Sequence, residues 1–273
     1  MASLSISRAW DEAKAVLARD GRLIWTVALA LLFLPQVFSS TVAPPANVAG
    51  EAAPAGSGLV VLVALLVSMV GQLAIVRLAV GPATSVGDAI RHGLRRFLPA
   101  LAAFFVFLLG MALILVPLIM AIGLSPMLLN PASAPPPQLL GRLLILVLLA
   151  FLLSVKFLLV TPVASSEEIG PIAILKRSWM LTGGHYARLL GFVLLATIAA
   201  LVAVITAQIV GTIFAKLFAE SINPLSAGAL VLGLFTAGTQ AALSAAFTVM
   251  LARIYVQVAG VGTQASVPNT SDD

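Results

Sequence analysis

Apolar residues along this chain gather into long runs, at about 22–42, 58–80, 97–124, 139–163, 188–214 and 227–256. Each run reaches the roughly 20 residues that a helix needs to cross about 30 Å of hydrocarbon, with tilt or a short extension taking up any excess. The pattern predicts an all-α integral membrane protein, a six-transmembrane-helix bundle. Pro35, Pro117 and Pro162 fall inside or at the ends of these runs. Proline removes a backbone donor and crowds the carbonyl four residues back, so each is an expected kink whose freed carbonyl must find another partner.

Ahead of the first run, residues 4–18 alternate at helical spacing. Leu4, Ala9, Trp10, Ala13, Val16 and Leu17 share one face, and Arg8, Asp11, Glu12, Lys14 and Arg19 lie elsewhere. This predicts an amphipathic helix, either lying in the headgroup plane or packed on the ends of the bundle. The expected organisation is an N-terminal amphipathic helix (1–21), a six-span membrane domain (22–256) and a short disordered tail (257–273), with both amphipathic helix and tail cytoplasmic. Thr41-Val42-Ala43 loosely resembles a signal-peptidase site. The preceding region is too long and carries Asp11, Glu12 and Asp20, so the first span is expected to remain uncleaved.

Composition removes the soluble alternative. The chain is 61% hydrophobic and 9% charged, against about 25% charged residues in a soluble domain. The net charge of +5 acquires meaning from its placement. Arg8, Lys14, Arg19, Arg22, Arg77, Arg91, Arg95, Arg96, Lys176, Arg177, Arg188 and Arg253 border the N-terminal segment, the connections near 81–96 and 164–187, and the tail. The connections at 43–57, 125–138 and 215–226 carry Lys216 alone, with Arg142 just inside the fourth span. The positive-inside rule puts the first set, with both termini, in the cytoplasm. These charges therefore read as topology signals, and no nucleic-acid partner is expected. Trp10, Trp25, Trp179, Tyr186 and Tyr255 fall on the same side, as interface anchors would.

That side also repeats. The second, fourth and sixth runs end in Arg77, Lys156 and Arg253, each flanked by apolar residues, and basic amphipathic segments follow the first two, around Arg91 and around Lys176-Arg177. The bundle thus reads as three hairpin repeats with cytoplasmic amphipathic helices. The second segment is bounded by Gly170-Pro171, with proline at the first helical position, and by Gly183-Gly184, suited to a left-handed cap. Ile172, Leu175, Trp179 and Met180 are placed on one face. It is either an interfacial connector or a site for an anionic lipid or a partner.

Pro162 and Glu167, followed by GPIAILKRSWMLTGGHYARLLG from Gly170 to Gly191, resemble the motif of a bacterial membrane-domain family. That family includes the domain fused to some glycerophosphoryl diester phosphodiesterases. Glu167, Gly170, Pro171, Leu175, Lys176, Arg177, Ser178, Trp179, Leu181 and Thr182 carry the likeness, and Ile174 stands where that family usually has Ala. The resemblance implies a membrane-embedded partner or accessory module. It confers no hydrolase activity, because the phosphodiesterase domain with its paired His and metal-binding acids is missing.

The available chemistry agrees. There is no cysteine, the ten acids lie outside the apolar runs, and the two histidines, His92 and His185, are isolated beside basic segments. No metal site, cofactor or enzyme activity is expected. Polar residues within the runs, Gln72, Thr206, Gln208, Thr239, Gln240 and Ser244, are expected to bond between helices, and Gly238, Ala242 and Ala246 to form a close-packing stripe. Arg77, Lys156 and Arg253 either snorkel to the headgroups or converge on an anion, a lipid phosphate or Glu167; Lys176 and Arg177 join them as candidate headgroup contacts. Three function classes remain open. They are a scaffold or accessory module engaging phospholipid, a protein partner or a second copy, a transporter or channel for a small or lipidic anion, and an intramembrane enzyme.

Overall fold

The computed structural model describes residues 4–45, 54–81, 85–121, 137–219 and 221–260, with the side chains of 137–140 outside the description. Among the described residues the chain is all-helical, without strands. The predicted connection at 125–138 and the tail beyond 260 lie almost wholly outside these residues.

The N-terminal helix is not a separate element. α1 (Ile6–Ala28), a π-helical turn (Leu29–Phe33) and α2 (Leu34–Val42) form one continuous rod, so the boundary expected at residue 21 has no break in the backbone. Ser5 caps the start, its hydroxyl accepting from Arg8 N. Ala9, Ala13, Val16, Ile24 and Val27 are buried against the bundle. Trp10, placed on that face by the sequence pattern, is 56% exposed instead. The π turn has a cause in Pro35. Proline cannot donate to the Leu31 carbonyl and crowds it, and the helix widens so that Leu34 N–H reaches Leu29 O, five residues back.

α3 (Ser57–Val80) and the C-terminal helix, Ala227–Ala259, form the centre, both packing on the first rod and on each other. The close-packing stripe of the C-terminal helix is displaced by one residue from the expected one. Gly233, Ala237, Ala241 and Ala245 are buried, whereas Gly238, Ala242 and Ala246 are half-buried beside them. The helix also runs past the predicted end of the span, through Gln257, and closes at Gly260 in the left-handed region (φ 70°).

α4 (Val86–Ala121) absorbs the first basic amphipathic segment into its own N-terminal turns, so that segment is no separate helix. It approaches α3 so closely at Gly93 that a Cβ there would lie 2.8 Å from Val70 O. α5 (Pro137–Lys156) and α6 (Val160–Ser166) divide the fourth span, α7 (Pro171–Gly183) follows, and α8 (Tyr186–Phe218) and α9 (Ala227–Ala259) complete the chain. Gly184 ends α7 at φ −75°, an ordinary right-handed conformation and not the expected left-handed cap.

Among the described residues, six helices are long and apolar enough to cross a membrane. Their outward faces are apolar as well: Leu109 on α4 is 72% exposed, Leu144 on α5 69% and Leu195 on α8 69%. Apolar surface this extensive suits contact with hydrocarbon and not with water, and the chain is compatible with a multi-pass membrane protein.

The α3–α4 approach gives a direct check. Gly93→Ala forces its Cβ against backbone and should lower the thermal midpoint in detergent, whereas Gly191→Ala on α8 meets nothing within 4 Å and should be neutral or slightly stabilising, by up to about 1 kcal/mol. Equal midpoints for the two variants would contradict the close approach.

Candidate functional site

Side-chain hydrogen bonds between distant parts of the chain gather at one end of the bundle. Arg188 Nη1 on α8 donates to Leu4 O (2.9 Å), Arg253 Nη1 on α9 donates to Ala79 O (3.1 Å), and His92 Nε2 on α4 lies 2.8 Å from Ser165 O on α6. The predicted basic residues are at this end, and its organising feature is the interruption of the fourth span.

Pro162 dictates that interruption. It offers no donor to Leu158 O and crowds that carbonyl; α4 runs on through Pro99 and Pro117, but here the helix breaks. The chain takes tight three-residue turns instead: Phe157 N donates to Ser154 O (3.0 Å), Leu158 N to Val155 O (3.3 Å) and Val160 N to Phe157 O (3.1 Å). Val160 N would otherwise have served Lys156 O, which is left without a helical donor. Ser178 Oγ (3.2 Å) donates to it in place of the missing N–H, and Thr182 Oγ1, one turn on along α7, lies 3.0 Å away with its single proton shared between Lys156 O, Ser178 O (2.9 Å) and Trp179 O (3.1 Å). The buried face of α7 is therefore Ile174, Ser178 and Thr182. Of the apolar residues that the sequence placed on one face, Leu175 is buried, and Ile172, Trp179 and Met180 are 73%, 45% and 61% exposed.

The short α6 then carries the chain to Glu167. Ser165 Oγ donates to Leu73 O (3.1 Å), locking α6 to α3. Glu167, beyond the end of α6, accepts from Arg177 Nε (3.1 Å) and from Tyr255 Oη (2.9 Å) on a single carboxylate oxygen. Tyr255 is 1% exposed, so it is a buried anchor for Glu167 and not the interface aromatic the sequence suggested. Gly170 and Pro171 make the N-terminal boundary of α7 as expected. Glu168, which the sequence reading passed over, pairs with Arg96 Nη2 (2.6 Å).

Arg77, Lys156 and Arg253 have separate surroundings. Lys156 Nζ lies over the rings of Tyr186 (4.6 Å) and Trp179 (5.2 Å), a cation–π arrangement. Arg253 faces Glu12 (3.4 Å) as well as Ala79 O. Arg77 is half-buried, and its side chain has no hydrogen bond or ion pair among the described residues. Glu167 is shared by Arg177 and Tyr255 and by none of these three. Lys176 is exposed and likewise unpaired among the described residues. His92 is half-buried on a backbone carbonyl and does not face outward as a phosphate ligand would. The sequence also gave no sign of Glu12 and Gln257. Gln257 bonds the Ser5 backbone and ties the end of α9 to the start of α1. Glu12 sits in an ordinary charged segment and Gln257 near the end of an apolar helix, and neither setting singles its residue out.

Lys176 and Trp179 border a groove of about 420 Å³ between α4, α5 and α7, whose walls include Phe107, Met111, Leu153 and Ile172. Among the described residues no group of three His, Asp or Glu could hold a metal ion.

The Glu167 cluster ranks two substitutions. Tyr255→Phe removes one donor to a carboxylate, at a cost of about 1.5–3 kcal/mol. Glu167→Leu also strands the buried Tyr255 hydroxyl and unpairs Arg177, so it should lower the thermal midpoint further. A Glu167→Leu protein as stable as Tyr255→Phe would show that the cluster carries no weight.

No curated protein and no solved structure matches the chain. A family model does match, over residues 4–261, from the N-terminal residue that Arg188 holds to just beyond the α9 cap. The chain belongs to the family described as "Domain of unknown function (DUF7847)".

Proposed function

We propose that this chain is a non-catalytic, multi-pass protein of the bacterial inner membrane, with both termini cytoplasmic, that engages phospholipid at its basic end as a scaffold or accessory module. The carrying observation is the α4–α5–α7 groove, apolar along its walls, with the exposed, unpaired Lys176 and the ring of Trp179 at its rim. That combination fits an acyl chain with an anionic headgroup at one end: hydrocarbon meets Phe107 and Met111, and phosphate meets the ammonium. The tryptophan ring is suited to headgroup depth. The exposed apolar residues Ile172 and Met180 on α7 support an interfacial position for that helix.

The likeness of Gly170–Gly191 to the phosphodiesterase-fused membrane family, and the three-hairpin repeat, belong to this proposal. Both point to an accessory role beside a protein partner or a second copy. Passage of a small or lipidic anion is the competing reading. It draws less support, because Arg177, Lys156 and Arg253 each have a carboxylate or aromatic partner within the chain.

Two measurements test the proposal. Fluorescent protein fused after residue 273 should fluoresce in cells, and alkaline phosphatase at the same place should be inactive; the reverse pattern would overturn the orientation. Purified protein exchanged into mixed phosphatidylglycerol and phosphatidylcholine should retain phosphatidylglycerol preferentially. Lys176→Gln should reduce that preference about fivefold, corresponding to about 1 kcal/mol per basic residue near an anionic surface. An unchanged preference would remove Lys176 from the site.

A further inference from the structure

A second cavity, of about 250 Å³, lies between α3, α6 and α9 on the inner side of the fourth-span interruption. Gln72, Thr161, Ser244 and Thr248 line it, with Leu158 and Pro162. Its hydroxyls make no bond back to their own helices, unlike several others in this protein. A helical Ser or Thr commonly bonds the carbonyl one turn back, as do Thr26 to Arg22 O (2.8 Å), Thr206 to Val202 O (2.8 Å), Thr212 to Gln208 O (2.7 Å) and Thr236 to Leu232 O (3.0 Å). Among the described residues, the side chains of Thr161, Ser244, Thr248 and Gln72 have no such bond and no other protein partner. Thr248 is only 6% exposed. A buried polar group left unmet costs about 1–3 kcal/mol; Thr248 is buried, Gln72, Thr161 and Ser244 are half-buried, and all four line one space.

The lining sets the chemistry of what fills that space. No Asp, Glu, Lys, Arg or His contributes to it, so an ion would lose its hydration without gaining a counter-charge. An apolar guest would leave the four polar groups unmet. Three hydroxyls and an amide both donate and accept, so they match a guest that does the same. The backbone adds an acceptor, since Pro162 cannot supply the N–H that Leu158 O would receive in a helix. Irregular backbone at membrane depth is tolerated where it lines a polar cavity. At about 30 Å³ per water, the volume accommodates several waters or one short polyol.

We propose that the Gln72–Thr161–Ser244–Thr248 cavity is a hydrated binding site for a small, uncharged, hydroxyl-bearing solute. This site is independent of the phospholipid groove, which lies on the outer side of α5 and α7 and uses none of the same side chains.

The absence of cysteine from the chain makes the test clean, because one introduced thiol is unique. Ser244→Cys and, separately, Thr248→Cys are prepared in the full chain in nanodiscs. Arg91→Cys, exposed at the basic end, is the aqueous reference, and Leu201→Cys, exposed on the apolar face of α8, is the lipid reference. A small water-soluble methanethiosulfonate reacts with the thiolate and therefore reports hydration. The cavity cysteines should react and Leu201→Cys should not. Glycerol should slow the cavity reaction saturably, by about tenfold at ten times its dissociation constant, after normalisation to Arg91→Cys. Sucrose, too large for the cavity, should not. If both cavity cysteines stay inert while Arg91→Cys reacts, the site is dry and the proposal fails. If they react but glycerol slows them no more than sucrose does, the cavity binds no such solute and the proposal fails equally.

Discussion

One missing backbone donor, the nitrogen of Pro162, determines how the basic end of this protein is built. A regular helix through the fourth span would bury every carbonyl on its own i+4 amide. With Pro162 in place that ladder loses a donor, the chain turns at 157–159, and Lys156 O is left to find a donor elsewhere. In a low-dielectric interior an unmet carbonyl is expensive, so the hydroxyls of Ser178 and Thr182 on α7 become structural. Their engagement lays α7 across the end of the fourth span. The same redirection points α6 at α3 through Ser165, and brings Glu167 within reach of Arg177 and Tyr255. The run of residues from Pro162 to Thr182 is thus a single mechanical unit, in which a helix is broken and then recapped by side chains from a later element.

The large features of this fold were legible because they depend on sums over many residues. Six apolar runs and a one-sided distribution of arginines need no knowledge of contacts, and the described helices follow those runs closely. Pro162 and the Gly170-Pro171 boundary were legible too, because each acts through local backbone chemistry. What failed depended on which of two neighbouring faces a helix buries. The small-residue stripe of α9 was misplaced by one position, since Gly233-Ala237-Ala241-Ala245 and Gly238-Ala242-Ala246 are equally regular, and only the neighbouring helices choose between them. On α7 the apolar residues Ile172, Trp179 and Met180 are exposed, and what the apolar pattern left unread is the inner face, which answers a carbonyl and is served by hydroxyls. Tyr255 was misjudged for the related reason that an aromatic with a polar tip suits both an interface and a buried carboxylate.

The same interruption organises both candidate binding regions. Outside it, α7 and the end of α5 shape an apolar groove with Lys176 at the rim. Inside it, Leu158 and Pro162 wall a cavity with polar groups from three helices. A continuous fourth helix would run straight past both, so the proline bend is the common origin of the lipid-facing and the core-facing site. Lys156 sits between them, its carbonyl held by α7 and its ammonium over Tyr186 and Trp179. This accounts for a basic residue at that point without requiring it to meet Arg77 or Arg253.

The central claim is that recapping of Lys156 O by α7 holds this end together. Backbone hydrogen exchange of the Ser178→Ala/Thr182→Val protein tests it most directly. Exchange should rise in α7 and around 157–159 while α9 and the α1–α2 rod remain as protected as in the parent, because only the shared carbonyl loses its donors. Unchanged protection of α7 in the double variant would contradict the account, and would show that apolar packing alone keeps that helix in place.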